Sequence, residues 1–184
     1  MKIPKQAKRV FKGVIFDVYQ WQQKMFDGSF ETFEMLKRKH SIQVLAVTKD
    51  KKILTLKEQH PHIEKPFYGI IGGGQENDET PEETAKRELL EETGYTAENF
   101  ELIDERYPST KTDWPLYTFL AKNATKITEQ KLDSGEKVEV MEKDFDDFLE
   151  IATSDNFLSL ALTYHLLMLN YKGRLEDFKN KILK

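Results

Sequence analysis

The chain contains no cysteine. Disulfides, thiolate zinc sites and a cysteine nucleophile are therefore all excluded. No apolar run approaches the ~18 residues that a membrane-spanning helix needs. The first residues, MKIPKQAKRVFKG, are basic but carry no apolar h-region or cleavage site, so they do not read as a signal peptide. Together these features suggest a cytoplasmic protein. Nor is there an excess of positive charge: the net charge is −4. That balance argues against gripping long nucleic acid by its phosphates. A small anionic substrate stays open, because a bound cation supplies positive charge locally. Proline and glycine are sparse (6 and 9 residues), and no repeat or low-complexity linker interrupts the 184 residues. At 39% hydrophobic, the chain has the material for one ordinary core.

Patterning suggests strands mixed with helices, hence α/β or α+β layers with a mixed sheet between helices. Residues 10–21 (VFKGVIFDVYQW) alternate at period two, with Val14, Phe16 and Val18 on one face. Residues 30–37 read as a second strand after the turn signal Phe26-Asp27-Gly28-Ser29. A lone hairpin is marginal and has to pack on something. Further strands are expected at 42–48, 52–58, 100–107, 115–121 and 137–142, with helices at 144–151 and 156–171. The division expected is an N-terminal hairpin segment at 1–40, a main domain at 41–172 and a charged tail at 173–184, forming a surface helix or fraying.

The most informative stretch runs from Gly73 to Tyr95. Thr80 is placed as an N-cap, Pro81 as the first helical residue, and Glu83 completes a capping box. Gly94 sits where a left-handed stop belongs. These signals predict a helix over 81–93. Within it Glu88, Glu91 and Glu92 stand at i, i+3 and i+4, so they share one stripe. Like charges so placed repel by a few tenths of a kcal/mol each. A repulsive stripe behind Gly72, Gly73 and Gly74 suits a hard divalent cation, Mg²⁺ or Mn²⁺, which prefers oxygen ligands. Clustered glutamates alone are more often a solvated face. The longer spacing is what sets this segment apart: Gly73, five residues, Glu79, seven residues, Arg87-Glu88-Leu89, one residue, Glu91-Glu92, one residue, Gly94-Tyr95.

That spacing resembles the Nudix box at every defined position. The chain is thus similar to Nudix hydrolases, and more weakly, over residues 10–170, to the branch that cleaves ADP-ribose and other nucleoside diphosphate sugars. Phe26-Asp27-Gly28 with Glu34, the run Leu54 to Gln59, and Asp133 to Val140 carry the weaker likeness. The resemblance implies a Nudix-type α/β/α sandwich with an N-terminal β-hairpin subdomain that builds a homodimer. It implies a small nucleotide substrate whose diphosphate bond is hydrolysed to two monophosphates. By the same resemblance the Gly72 carbonyl, Glu88 and Glu92 ligate metal, Glu91 is a shared ligand or the base, and Arg87 bridges Glu79 and positions Glu91. Glu136 falls where an acidic loop ligand or catalytic group sits, while Ser134 stands where relatives carry a glutamate. Trp21, Phe26, Glu58 and Arg106 are candidate substrate contacts, with Trp114 a further aromatic for stacking. Two departures touch the substrate: His60-Pro61 follows Glu58-Gln59 in place of a basic residue, and Tyr107-Pro108-Ser109 stands near the expected Ser-Pro-Gly. Alternative readings are a hydrolase of nucleoside triphosphates or RNA 5′ ends, and a non-catalytic nucleotide-binding regulator.

Overall fold

The computed structural model describes residues 2–76 and 78–184. Met1, in the N-terminal segment, and Asn77, a spacer position of the glycine–glutamate motif, lie outside the described residues. The elements in order are β1 (Lys8–Lys12), β2 (Asp17–Lys24), β3 (Phe30–Lys37), β4 (Ser41–Thr48), β5 (Ile53–Gln59), β6 (Phe67–Gly69), β7 (Ile71–Gly74), α1 (Pro81–Thr93), β8 (Tyr95–Thr96), β9 (Asn99–Arg106), β10 (Thr112–Asp113), β11 (Leu116–Lys126), β12 (Lys137–Lys143), α2 (Phe145–Ala152), α3 (Leu160–Tyr171) and α4 (Leu175–Leu183).

The main sheet runs β12-β5-β4-β11-β8, with β6 on β5, β7 on β4 and β9 on β11. It is mixed: β4 and β11 are parallel and the remaining pairings antiparallel. β4 is buried on both sides from Val44 onward, as its apolar VLAV run requires. Ile42, Val44 and Ala46 face Ala85 and Leu89 of α1. Leu45 and Val47 face the opposite core, where Phe148 of α2, Leu162 and Leu166 of α3, and Phe178 and Ile182 of α4 are buried. The result is an α/β/α sandwich, and the charged C-terminal stretch contributes a helix to its core. Alternation of lysine and glutamate hides that: only Phe178 and Ile182, one turn apart, carry the buried face of α4.

Several segments differ from the sequence reading, and β11 runs on to Lys126, past the expected 121. The continuous strand expected over 10–21 is broken into β1 and β2 by a turn in which Gly13 N–H donates to the Phe16 carbonyl (3.1 Å). Val14, expected on one strand face with Phe16 and Val18, is consequently outside both strands and fully exposed. The hairpin is also larger than expected: β1, β2 and β3 form a meander, and β10 from the main domain adds a parallel strand. The helix expected from 156 begins at Leu160 instead. Its first residues are taken by tertiary pairing: Tyr68 N–H donates to the Asn156 carbonyl (2.9 Å) and Leu158 N–H to the Tyr68 carbonyl (2.8 Å).

Candidate active site

Helix α1 is built as its capping signals require. Glu83 N–H donates to Thr80 Oγ1 (3.3 Å) and Thr80 N–H to Glu83 Oε2 (2.7 Å), which closes the capping box. Gly94 ends the helix at φ 75°, in the left-handed region that glycine enters freely. Its carbonyl then accepts Ile127 N–H (2.9 Å) and Thr128 N–H (3.2 Å). The loop before β12 is thereby pinned to the end of α1. Lys131 N–H continues the attachment by donating to the Glu91 carbonyl (2.8 Å), and Gln130 Nε2 donates to the Glu92 carbonyl (2.6 Å).

Arg87 organises the stripe. Its guanidinium meets Glu79 through Nε (2.8 Å) and Nη2 (3.1 Å), Glu88 and Glu91 through Nη1 (2.9 and 3.0 Å), and the Gly74 carbonyl through Nη2 (3.0 Å). These are charge-assisted bonds in the fork geometry that only arginine supplies. Arg87 holds the Glu79 carboxyl down at about 2, below its usual 4.5. The folded chain favours the ionised form, so the stabilisation is present above about pH 4.5 and is lost as pH falls towards 2. Glu79→Gln is therefore expected to flatten the acid limb of a Tm-against-pH curve between those values. Superimposable limbs for variant and parent would contradict it.

Glu88 and Glu92 are both buried. The Glu88 carboxylate occupies the space where a side chain at residue 73 would stand, which is why that position is glycine. Gly72 N–H donates to Glu92 Oε2 (3.0 Å). Burial raises the Glu88 carboxyl to about 6 against the opposing pull of Arg87. Burial raises Glu92 well above 4.5, and the charges of Glu58, Glu88 and Glu136 push it further. Glu58 is raised by burial too, with His60 Nε2 at 3.4 Å from its Oε2 opposing the shift. Among the described residues no three acidic or histidine groups converge into a ready-made cation cage. Each carboxylate leans on a positive or N–H group instead of its neighbours, as mutual repulsion dictates. An all-oxygen, buried, self-repelling donor set fits a hard divalent ion, whose charge would reverse every one of those upward shifts.

On the other side of β7 lies a cleft of about 820 Å³. Arg38, Gln43, Arg106, Trp114 and Tyr164 line it, and Glu58 and the glycines of β7 form its border with the carboxylates. Arg38 lies over Trp114 at 4.4 Å and Phe16 at 5.4 Å from the ring centroids, and Arg106 lies over Tyr164 at 5.0 Å. Arg106 also pairs with Asp104. Thus the structure brings Gly72, Glu58, Arg87, Glu88, Glu91, Glu92 and Arg106 to one region, and Glu136 acts on three of its carboxylates. It does not bring Trp21 or Phe26 there. Trp21 is buried in the N-terminal sheet, with its indole N–H on Gln23 (2.9 Å) and Phe33 at 5.9 Å. Phe26 is wholly exposed in the β2–β3 turn. Sequence reasoning missed Arg38, Gln43 and Tyr164, which lie on separate elements without a motif. The three arginine–aromatic pairs among the described residues give no spacing signal either.

Comparison with known proteins agrees with this architecture. The NUDIX domain family matches residues 37–159. An ADP-ribose pyrophosphatase of Bacillus subtilis (strain 168) is 33% identical over 174 residues, covering 94% of each chain. A methanol dehydrogenase activator of Bacillus methanolicus is 28% identical over 147 residues, covering 79% of this chain and 80% of the relative. The crystal structure of an ADP compounds hydrolase shares the fold, with a TM-score of 0.72 at 16% identity, over 92% of this chain and 95% of the other. With the motif intact, its carboxylates buried and a cleft beside them, the chain belongs to the NUDIX family as a Nudix pyrophosphohydrolase.

Proposed function

We propose that the chain hydrolyses the diphosphate bond of a nucleoside diphosphate sugar of the ADP-ribose kind, giving a nucleoside monophosphate and a sugar phosphate. The observation that carries this is the cleft: two arginines backed by aromatic rings, opening against the glycine strand that borders the carboxylates. Arginines suit the two phosphates, and Trp114, Tyr164 and Phe67 offer flat surfaces for a base. The similarity to the Bacillus subtilis ADP-ribose pyrophosphatase supports the same substrate class.

Glu88, Glu92 and the Gly72 carbonyl would hold Mg²⁺ or Mn²⁺, with Glu136 completing the set from its loop. When bound, such an ion neutralises the diphosphate and lowers the pKa of water. The chain's own groups do the rest. Arg38 and Arg106 hold and orient the phosphates, and the leaving monophosphate stays paired with them. Glu91, fixed by Arg87 at 3.0 Å and partly open to solvent, takes the proton of the attacking water. Glu58, held by His60, sits on the border between cleft and carboxylates and positions the substrate.

The N-terminal sheet supports a homodimer in this reading. Val10, Phe11, Ile15, Phe26 and Phe30 are all exposed on or beside it, and exposed apolar side chains gathered on one element mark interaction surfaces. Docking of this sheet on a second copy would cover them and give Phe26 a neighbour. We place the enzyme in the cytoplasm; among the described residues, no helix is long and apolar enough to cross a membrane.

The test is a panel of nucleoside diphosphate sugars, dinucleotides and triphosphates with Mg²⁺ or Mn²⁺, read by phosphatase-coupled phosphate release. AMP and a sugar phosphate are expected, with no turnover once the ion is chelated. Preferential release of pyrophosphate from triphosphates would sink the proposal. Sedimentation of the same preparation should give twice the chain mass, and a monomer at working concentration would remove the dimer.

A further inference from the structure

We propose that Gln43 is a specificity-determining residue that reads a sugar hydroxyl flanking the diphosphate of the substrate. The proposal rests on the diphosphate-sugar reading above. Gln43 is the one polar residue within the buried run Ile42 to Val47. Alternation along β4 puts it on the same face as Leu45 and Val47, which are sealed beneath the helices of the second core. Gln43 lies beyond that seal, on the floor of the cleft. Its register partners are Gly72 on β7 and Thr118 on β11. A side chain at residue 72 would begin 3.6 Å from Gln43 Cγ, so the glutamine stem lies over Gly72. Whatever the amide touches is therefore beside the strand that borders the carboxylates.

Among the described residues the amide oxygen has no partner. Gln43 Oε1 is shielded from solvent and makes no hydrogen bond, and neither does Oγ1 of the adjacent Thr118, which is 2% exposed. Buried polar atoms in folded proteins are nearly always paired, and an apolar residue would fill this strand position without that defect. A turn of the flexible side chain presents the amide to the cleft it lines, where the partner it lacks is a ligand group. Its chemistry follows from what surrounds it. Arg38 and Arg106 already serve the phosphates, whereas a neutral amide suits a neutral group. A hydroxyl both donates and accepts, so it satisfies the amide whichever way the oxygen and nitrogen are turned. Beside a diphosphate, that hydroxyl belongs to a sugar.

The test is Gln43→Leu, which keeps the volume and removes the amide. With ADP-ribose, KM is expected to rise about five- to tenfold, the size of one lost neutral hydrogen bond, with kcat within about twofold. Two probes locate the group: the methyl ester of ADP, without the distal sugar, and ADP-ribose lacking the 2′ and 3′ hydroxyls of its adenosine. The penalty should vanish with one of them. Quenching of Trp114 fluorescence, read in a Trp21→Phe background without metal, gives Kd independently of turnover. Unchanged KM and Kd for ADP-ribose, or an equal penalty with both truncated probes, overturns the proposal. A Gln43→Leu protein that melts well below the parent while binding normally makes the amide a fold determinant and overturns it as well. Wild-type protein that turns over no diphosphate sugar counts against the proposed function, while the Kd comparison still decides the role of Gln43.

Discussion

Replacing Glu92 by glutamine is expected to lower metal-dependent turnover by about 10²–10³-fold or more, the scale of removing one group that stabilises developing charge. The same substitution should leave the metal-free protein at least as stable as the parent. Glu92 is 6% exposed, and burial together with Glu58, Glu88 and Glu136 works against its ionised form. A neutral amide escapes that cost, and its oxygen can still accept the Gly72 N–H that Glu92 now accepts at 3.0 Å. The opposed outcomes separate two explanations of an acidic residue. A structural glutamate would lose stability along with activity. Mg²⁺ should raise the Tm of the parent, since an ion that binds only the folded state stabilises it by mass action, and should not raise that of the variant. Retained turnover in Glu92→Gln, or an equal Mg²⁺ shift in both proteins, would rule out a metal-binding role for this carboxylate.

Phe178→Ala should be the most destabilising change in the C-terminal region, by about 3–5 kcal/mol. The ring is buried against His165 at 5.6 Å and joins the same core as Phe145, Phe148 and Leu169. For a domain of this length each kcal/mol lowers Tm by about 2–4 °C, so a fall on the order of 10 °C is expected. Neighbouring Asp177→Ala and Lys181→Ala on the exposed side of α4 should move Tm little. If all three variants melt alike, α4 does not belong to the cooperative unit. Activity per folded molecule should be preserved, because α4 does not line the cleft.

The helix that carries Glu88 and Glu92 was legible to the residue, 81–93 in sequence and Pro81–Thr93 in structure, because its start and stop are written in local chemistry. β4 and β5 were legible to within a residue at each end, because their apolar runs are bounded by Lys49-Asp50-Lys51. Where the reading failed, a distant partner decided the outcome. Asn156 to Leu158 have helical composition, yet Tyr68 claims their backbone. Phe178 and Ile182 are outnumbered by charged neighbours, and only the packed core shows that they matter. The cleft was the least legible part. Arg38, Gln43, Trp114 and Tyr164 come from four parts of the chain, and nothing in spacing alone unites them. Trp114, a candidate for stacking, bonds Ser41 through its indole N–H (2.9 Å), and its face lies under Arg38 at the cleft wall.

The glycine strand Ile71–Gly74 has an evolutionary consequence. Helix α1, with its carboxylates, packs against one face of the sheet, while Gln43 on the other face and Tyr164 of α3 help line the cleft. On the proposed reading, bond cleavage and ligand choice therefore rest on separate sets of positions. Substitutions at residues 43, 106, 114 and 164 are then expected to change substrate preference while leaving the 81–93 helix and its carboxylates in place. Within such a protein, divergence of function should be recorded on one side of a single sheet.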